Sequence, residues 1–470
     1  MTLTQTLDYV EKNFNSYLED LHQLIRIPSV SFEGFDLKTV DKSAEAVQGL
    51  LKRIGLNNVQ ILKFGQALPY VYGEWIQDPS LPTVLLYAHH DVQPIGRKEV
   101  WLTEPFEPTY KEGPGGLRLF ARGSADDKAG IIVHTAAIDA FLKTTQKLPL
   151  NIKILIEGEE EIGSPNLFEF LKHYKDLVQA DFMALTDTAN FDCGIPSLTT
   201  GLRGMVTLEL ELRALTKTIH SGMWSGPVPD SAMALSKLLA DLVDSNGEIN
   251  IAAIRDMVPP YPDSEQAYFN ALPFDEKLFR EQAGVIPSAC IHKNVHPFAK
   301  IWRFPTLTIN ALQSSSRAQA GNTLNDIAWA RVSVRVAPNM DSQKVSDALI
   351  QHLKSHTPWG TELKITSDAL ATPWAIDASH PHNKPAFDAA LRALKKGYGT
   401  EPVLMGCGAT IPFVKPFAEA LAGAPALLIG VEDPYTNAHG ENESLLVPDF
   451  KKAIMSHVHL FDELAKLGKV

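Results

Sequence analysis

The sequence predicts an α/β protein, a mostly parallel central sheet flanked by helices, with a second α+β domain inserted into it. Three observations carry that prediction. Short apolar runs at 83–88 (TVLLYA), 152–156 (IKILI), 181–185 (DFMAL) and 426–431 (ALLIGV) read as strands buried on both faces, and helical stretches such as 128–142 lie between some of them. From Gly204 the pattern changes to period two, with Val206, Leu208, Leu210 and Leu212 on one face and Thr207, Glu209, Glu211 and Arg213 on the other. That is a half-buried strand of another kind of sheet, and the habit returns at 330–336 (ARVSVRV) before a helical stretch at 341–353. After about residue 375 the buried pattern resumes, which divides the chain into a discontinuous domain of 1–202 and 376–470 and an insertion of 203–375.

The first element is an amphipathic helix. Leu7, Val10, Phe14, Leu18, Leu21, Leu24 and Ile25 recur at helical spacing, and Pro28 stops the pattern. The same N-terminal segment has neither a basic n-region nor an apolar h-region, and no uncharged apolar run reaches membrane-spanning length. A cytoplasmic protein is the expectation. With 470 residues, 45% of them hydrophobic, the chain can build more than one core. Lys and Arg number 43 against 55 Asp and Glu, a net charge of -12 without a basic block, so nucleic acid is not an expected partner. The three cysteines, Cys193, Cys290 and Cys407, form no CxxC pair or disulfide framework. Any bound metal would have to be held by carboxylate and imidazole.

Five polar clusters sit just beyond apolar strands or at a helix start. HHDVQP follows TVLLYA and offers His89 with Asp91, the carboxylate a ligating imidazole needs on its second nitrogen. RGSADDKAG places Asp126 and Asp127 before a helix, where acids are often simple caps. EGEEEIGS follows IKILI with Glu157, Glu159, Glu160 and Glu161, and a solvated acidic turn is the ordinary explanation for such a run. At the end of a buried strand, however, ligands collect, and crowded like charges there call for a cation. TDTAN after DFMAL supplies Asp187, and NAHGENE after ALLIGV supplies His439. Singly each has a bland explanation; together they are hard to dismiss.

In this order, IPSVS, YAHHDVQP, ARGSADDKAG, EGEEEIGS, TDT, IHSGMWSGPVPD, SVRVAPNM, GATIP and NAHGENE resemble the cocatalytic metallopeptidase and deacylase family. That family includes cytosolic nonspecific dipeptidase, carnosinase, carboxypeptidase G, acetylornithine deacetylase and succinyl-diaminopimelate desuccinylase. The resemblance covers nearly the whole chain, and the segment around His220 together with the length favours the dipeptidase branch. It implies a metal-dependent hydrolase of dipeptides with a free C-terminal carboxylate, acting through two divalent ions, Zn2+ first and Mn2+ or Co2+ as alternatives. His89 and Asp187 would hold one ion, Glu161 and His439 the other, and Asp126 would bridge them. Glu160 falls at the general base and Asp91 at the carboxylate behind the histidine. HH, DD and EEE each permit a one-residue slip, to His90, Asp127 or Glu159.

The resemblance further assigns His220, in the lid, to the oxyanion, Arg335 to the substrate carboxylate, and Asn322, Gly408, Ala409 and Thr410 to substrate binding. Because the lid histidine of the family can come from a second subunit, a homodimer through the inserted domain is implied. This chain departs from the pattern at Asn325, where the family often has Pro, and at Cys407, where the dipeptidase loop has Glu. Ala409 and Thr410 replace its second Gly and its Ser. An N-acyl amino acid deacylase is the alternative within enzymes; a catalytically silent binding scaffold is the alternative outside them, and its mark would be a missing ligand or base.

Overall fold

The computed structural model describes residues 3–291, 294–409, 414–421 and 423–469. The chain forms two compact units, one of residues 1–200, 376–405 and 411–470, the other of 201–375 and 406–410.

The first unit is built on a twisted sheet whose four central strands run parallel, in the order Asn151–Glu157, Thr83–His89, Phe182–Ala189 and Ala426–Glu432. Antiparallel strands extend it, Tyr70–Trp75 and Asn57–Leu62 beyond one side and Ser197–Leu202 beyond the other. All four apolar runs expected as buried strands are these central strands. Their side chains alternate between two covered faces: Val84, Leu86, Ala88, Ile152, Ile154 and Ile156 enter the large helical core, whereas Leu85, Tyr87 and Leu155 are buried on the opposite face. Each fully buried Val, Leu or Ile among them stabilises the fold by about 1.5–3 kcal/mol.

Helices Leu3–Ile25, Lys128–Thr145, Lys384–Tyr398 and Val447–Ala465 supply the other half of that core. The first of them ends where the chain turns toward Pro28, and the buried Lys128 ammonium donates to carbonyls at and just beyond that end, Leu24 O at 2.8 Å and Ile27 O at 2.6 Å. Gly430 is required by a close approach: a Cβ there would lie 2.4 Å from the Ala189 carbonyl carbon. The pairing of its strand with Phe182–Ala189 is irregular at this point, one residue from Asp187.

The second unit carries an antiparallel sheet in the order Thr306–Gln313, Ile327–Val336, Gly204–Arg213 and Glu362–Ala371. Val206, Leu208, Leu210 and Leu212 pack with Ala328, Ala330, Val332 and Val334 in its own core, beneath helices Ser231–Ala240 and Ser342–Ser355. Asp341 caps the latter, its carboxylate accepting the N–H groups of Gln343 at 2.9 Å and Lys344 at 3.2 Å.

Candidate metal centre

Parallel strands bring their C-terminal ends to one edge of the sheet, and the polar clusters gather there. His89 ends its strand, Glu160 and Glu161 occupy a single helical turn just after Glu157, and Asp187 lies near the end of the third strand. His439 comes from the loop after the fourth, at a φ of +62°. Asp126 and Asp127, joined by a cis peptide, precede helix Lys128–Thr145.

Asp126 lies between the two histidines. Its Oδ1 is 3.1 Å from His89 Nε2 and its Oδ2 is 3.0 Å from His439 Nε2. On the His89 side stands Asp187, whose Oδ1 is 3.6 Å from Nε2; on the His439 side stands Glu161, whose Oε2 is 3.3 Å from Nε2. His89, Asp126 and Asp187 thus form one group of donors that could hold a metal ion, and Asp126, Glu161 and His439 form another. Glu160 Oε2 reaches to 3.9 Å from His89 Nε2.

The neighbours of the doubled residues have other tasks. His90 turns its Nε2 to the Pro69 carbonyl at 3.0 Å, and burial pulls its pKa down to about 4, so it stays neutral. Asp127 accepts the backbone N–H of His89 at 3.2 Å. Glu159 is engaged by four donors: the Tyr70 hydroxyl, the N–H groups of Leu68 and Asn166, and the Asn166 amide.

Asp91 is fully buried behind His89, with its carbonyl 3.1 Å and its Oδ1 3.4 Å from Nδ1. The same carboxylate accepts from Ser31 Oγ at 2.7 Å and from the N–H groups of Glu160 at 3.2 Å and Glu161 at 3.0 Å. One buried aspartate therefore orients the histidine and pins the turn that bears two of the glutamates.

The electrostatics of the cluster are those of crowded anions. Burial, followed by the charge of Asp187, pushes Glu160 well above the usual carboxyl range; burial, followed by Asp126, does the same to Glu161. Burial also raises Asp187, with His89 opposing. Asp126 is held low: burial opposes, and the hydrogen bonds from His439 and His89 prevail. A buried set of carboxylates that repel one another this way suits a cation.

Three supporting residues lie inside the quoted motifs without having been singled out by sequence. Glu443 accepts from Gly123 N, Ala125 N, Asp126 N and Arg122 Nη1 at 2.8–3.1 Å, fixing the loop that carries Asp126. Arg122 also donates to Pro94 O and Gly440 O, tying that loop to the ones holding Asp91 and His439. Gln93 clamps Glu161 through its N–H at 3.0 Å and its amide at 2.7 Å. Glu432, at the end of the fourth strand, is a further carboxylate of the cluster, raised by burial and then by Asp126 and Asp187.

The remaining expected site residues belong to the second unit. His220 is exposed and pairs with Thr323 in a two-stranded ribbon, beside Asn322, whose carbonyl accepts from Ser221 N at 2.9 Å. Arg335 is the penultimate residue of strand Ile327–Val336, opposite Thr306. Arg203, which sequence reasoning passed over, is buried nearby and holds the loop of Gly408 and Ala409: its Nε donates to Gly408 O at 3.0 Å and its N–H to Ala409 O at 3.2 Å. Burial, with the Arg335 charge next, pulls Arg203 down to about 10. Gly408 admits no side chain, because a Cβ would lie 2.8 Å from Ile301 Cγ2. Cys407 turns its Sγ to the Ala409 N–H at 3.4 Å. Thr410 lies outside the described residues.

Fold and cluster together define a metal-binding α/β enzyme. The chain belongs to Peptidase family M20/M25/M40, whose model matches residues 85–463. Among curated relatives it is 28% identical over 448 residues to the cysteinylglycine-S-conjugate dipeptidase of Corynebacterium striatum, covering 94% of each chain. It is 27% identical over 483 residues to the human Beta-Ala-His dipeptidase, covering 99% of this chain and 93% of that one. Among solved structures it resembles the di-peptidase Dug1p of Saccharomyces cerevisiae with a TM-score of 0.84 at 25% identity, covering 99% of both chains. Human carnosine dipeptidase 1 matches with the same TM-score at 26% identity, again over 99% of both. The chain is accordingly a hydrolase of a metallopeptidase family.

Proposed function

We propose that this protein hydrolyses dipeptides, or short peptides with a free C-terminal carboxylate, using two divalent metal ions bridged by Asp126. The observation that carries the reading is the placing of Asp126, one oxygen 3.1 Å from His89 Nε2 and the other 3.0 Å from His439 Nε2. The donor set fits such ions: imidazole and carboxylate, no thiolate, and buried like charges that a cation would neutralise, which suits zinc first and manganese or cobalt after it. His89 and Asp187 would hold one ion, Glu161 and His439 the other. When bound, the pair would lower the pKa of a shared water and polarise the scissile carbonyl.

The protein's own residues do the rest. Glu160, whose Oε2 lies 3.9 Å from His89 Nε2 at the edge of the cluster, takes a proton from the attacking water as its oxygen bonds to the carbonyl carbon. It returns that proton to the leaving amine as the C–N bond breaks. Asp91 keeps His89 in one tautomer throughout. In the second unit Arg335 grips the substrate's C-terminal carboxylate with a planar fork, aided by Asn322, Gly408, Ala409 and Thr410, and His220 donates to the developing oxyanion.

We assign residues 1–202 and 376–470 to the catalytic domain and 203–375 to a lid that also dimerises, giving a homodimer. No described helix is long and apolar enough to cross a membrane, and a cytoplasmic location goes with the reading. The test is a metal-stripped preparation restored with zinc or manganese and assayed against dipeptides and N-acyl amino acids. Metal-dependent release of amino acids from dipeptides supports the proposal. Turnover of N-acyl amino acids alone replaces it with a deacylase, and silence on both refutes it.

A further inference from the structure

The second unit holds another set of metal-ligating side chains, far in sequence from the cluster described above. Helix Ser342–Ser355 carries His352 in its last turn, and His356 follows one turn later at the C-cap. That spacing sets both imidazoles on one face, with rings stacked 4.0 Å apart and planes 16° from parallel. Asp241, the C-cap of helix Ser231–Ala240, meets them there, its Oδ2 2.8 Å from His352 Nε2. One ligand atom from each of the three residues lies within 4.8 Å of the others.

We propose that Asp241, His352 and His356 bind a third divalent cation of the transition series, zinc by preference, which clamps the ends of these two helices together. Two imidazoles and one carboxylate select zinc, nickel or copper over magnesium and calcium. Histidines four residues apart on a helix are the spacing by which H-E-x-x-H helices hold zinc. His356 Nδ1 lies 2.9 Å from His352 O and 3.0 Å from Ser355 Oγ, so the proton sits on Nδ1 and the lone pair of Nε2 is left as the ligand. His352 Nε2 faces the carboxylate, where a cation takes the place of the proton between them.

Position supports the same assignment. Both helices present their C-terminal ends here, and the partial negative charge of each favours a cation. Asp241 is held by its N–H to Lys237 O and Leu239 O, and by its carbonyl accepting from Asn250 Nδ2 at 3.2 Å. The His352 side chain is 11% exposed and that of Asp241 41%, so one ligand is fixed and another is open to solvent. Donors about 2.0–2.2 Å from a tetrahedral ion stand roughly 3.5 Å apart, so the three ligand atoms, within 4.8 Å of one another, need to close by only about 1 Å.

The experiment uses the full chain, stripped with chelator, saturated with zinc and freed of excess by gel filtration. Zinc per chain is counted for wild type, His356→Ala and Asp241→Asn, and melting temperature is read with and without zinc. Both variants are expected to retain about one zinc fewer than wild type, to show a smaller zinc-induced rise in melting temperature, and to hydrolyse substrate at the wild-type rate. His356 is exposed at a helix end, so its loss leaves the fold intact, and circular dichroism checks this. Equal zinc content in wild type and His356→Ala overturns the proposal whatever the protein's activity.

Discussion

Replacing Glu443 by Gln tests whether the loop that carries Asp126 is held by a buried anion. In the structure Glu443 Oε1 accepts from Ala125 N at 2.9 Å and Asp126 N at 3.1 Å, and Oε2 from Gly123 N at 2.9 Å and Arg122 Nη1 at 2.8 Å. Burial raises the pKa of this carboxyl, with Arg122 opposing most strongly. Four donors and no acceptor, however, leave a carboxyl proton nothing to bond, so the group is ionised. Whichever way the Gln amide is turned, its NH2 faces two donors and forfeits two hydrogen bonds, while the buried Arg122 charge loses its counter-ion. At about 1–3 kcal/mol per buried group left unsatisfied, and about 3–5 kcal/mol for a buried ion pair that loses one partner, the substitution should destabilise by roughly 3–5 kcal/mol. Calorimetry should register this as a fall in melting temperature of roughly 3–8 °C. A metal titration of the same protein should show at least about tenfold weaker binding, because the displaced loop carries a ligand. A melting temperature within about 2 °C of wild type, with metal affinity unchanged, would refute the reasoning and mean that the carboxyl is already protonated.

The remaining predictions address the base, the carboxylate grip and the pH response. Glu160→Gln should lower turnover at least about a hundredfold with metal content nearly whole, and Glu159→Gln should act mainly on stability, since the Glu159 carboxylate accepts from four donors and an amide there would turn its NH2 against some of them; a dead Glu159→Gln beside an active Glu160→Gln would move the base by one residue. Arg335→Ala should discriminate poorly between a dipeptide and its C-terminal amide, losing about 2–4 kcal/mol of the preference for free acid. If kcat/KM ratios for acid and amide are unchanged, Arg335 is not the grip. His457 is buried neutral, and burial lowers its pKa from the usual 6.5 to about 4. Its folded pKa being depressed, the unfolded chain binds the extra proton, so its contribution is present above pH 6.5 and is lost as pH falls toward 4. That loss comes to about 3 kcal/mol. Denaturant midpoints measured from pH 7 to 4 should fall less steeply in His457→Gln than in wild type, and parallel curves would count against the assignment.

Much of this was legible in the sequence because the central strands are buried on both faces, which forces uninterrupted apolar runs such as TVLLYA and IKILI, and the polar residues that follow each run land on one sheet edge. The geometry also distinguishes neighbours that sequence could not. His90 and Glu159 are spent on Pro69 O and on a ring of donors, whereas His89 and Glu160 face Asp126 and each other. What stayed hidden has a physical reason. The short helices between 221 and 302, of four to ten residues, are too brief to display a 3.6-residue period. Glu443 and Arg203 act by pairing with backbone groups brought near only by the fold, Gln93 by holding the Glu161 carboxylate, and Glu443 contacts a loop 317 residues away along the chain. Asp241 and His352 are likewise 111 residues apart, and no spacing rule joins them.

The central claim is that Asp126 bridges two ions, and counting metal in bridge-deficient protein tests it most directly. The measurement is elemental analysis of zinc-saturated protein in a His356→Ala background, which removes the third site from the count. Two zinc ions per chain are expected with Asp126 intact, and one in His89→Ala. Asp126→Ala should retain almost none, because each ion loses a ligand at once. A plateau at one ion per chain with Asp126 intact, or two ions retained in Asp126→Ala, would contradict the account.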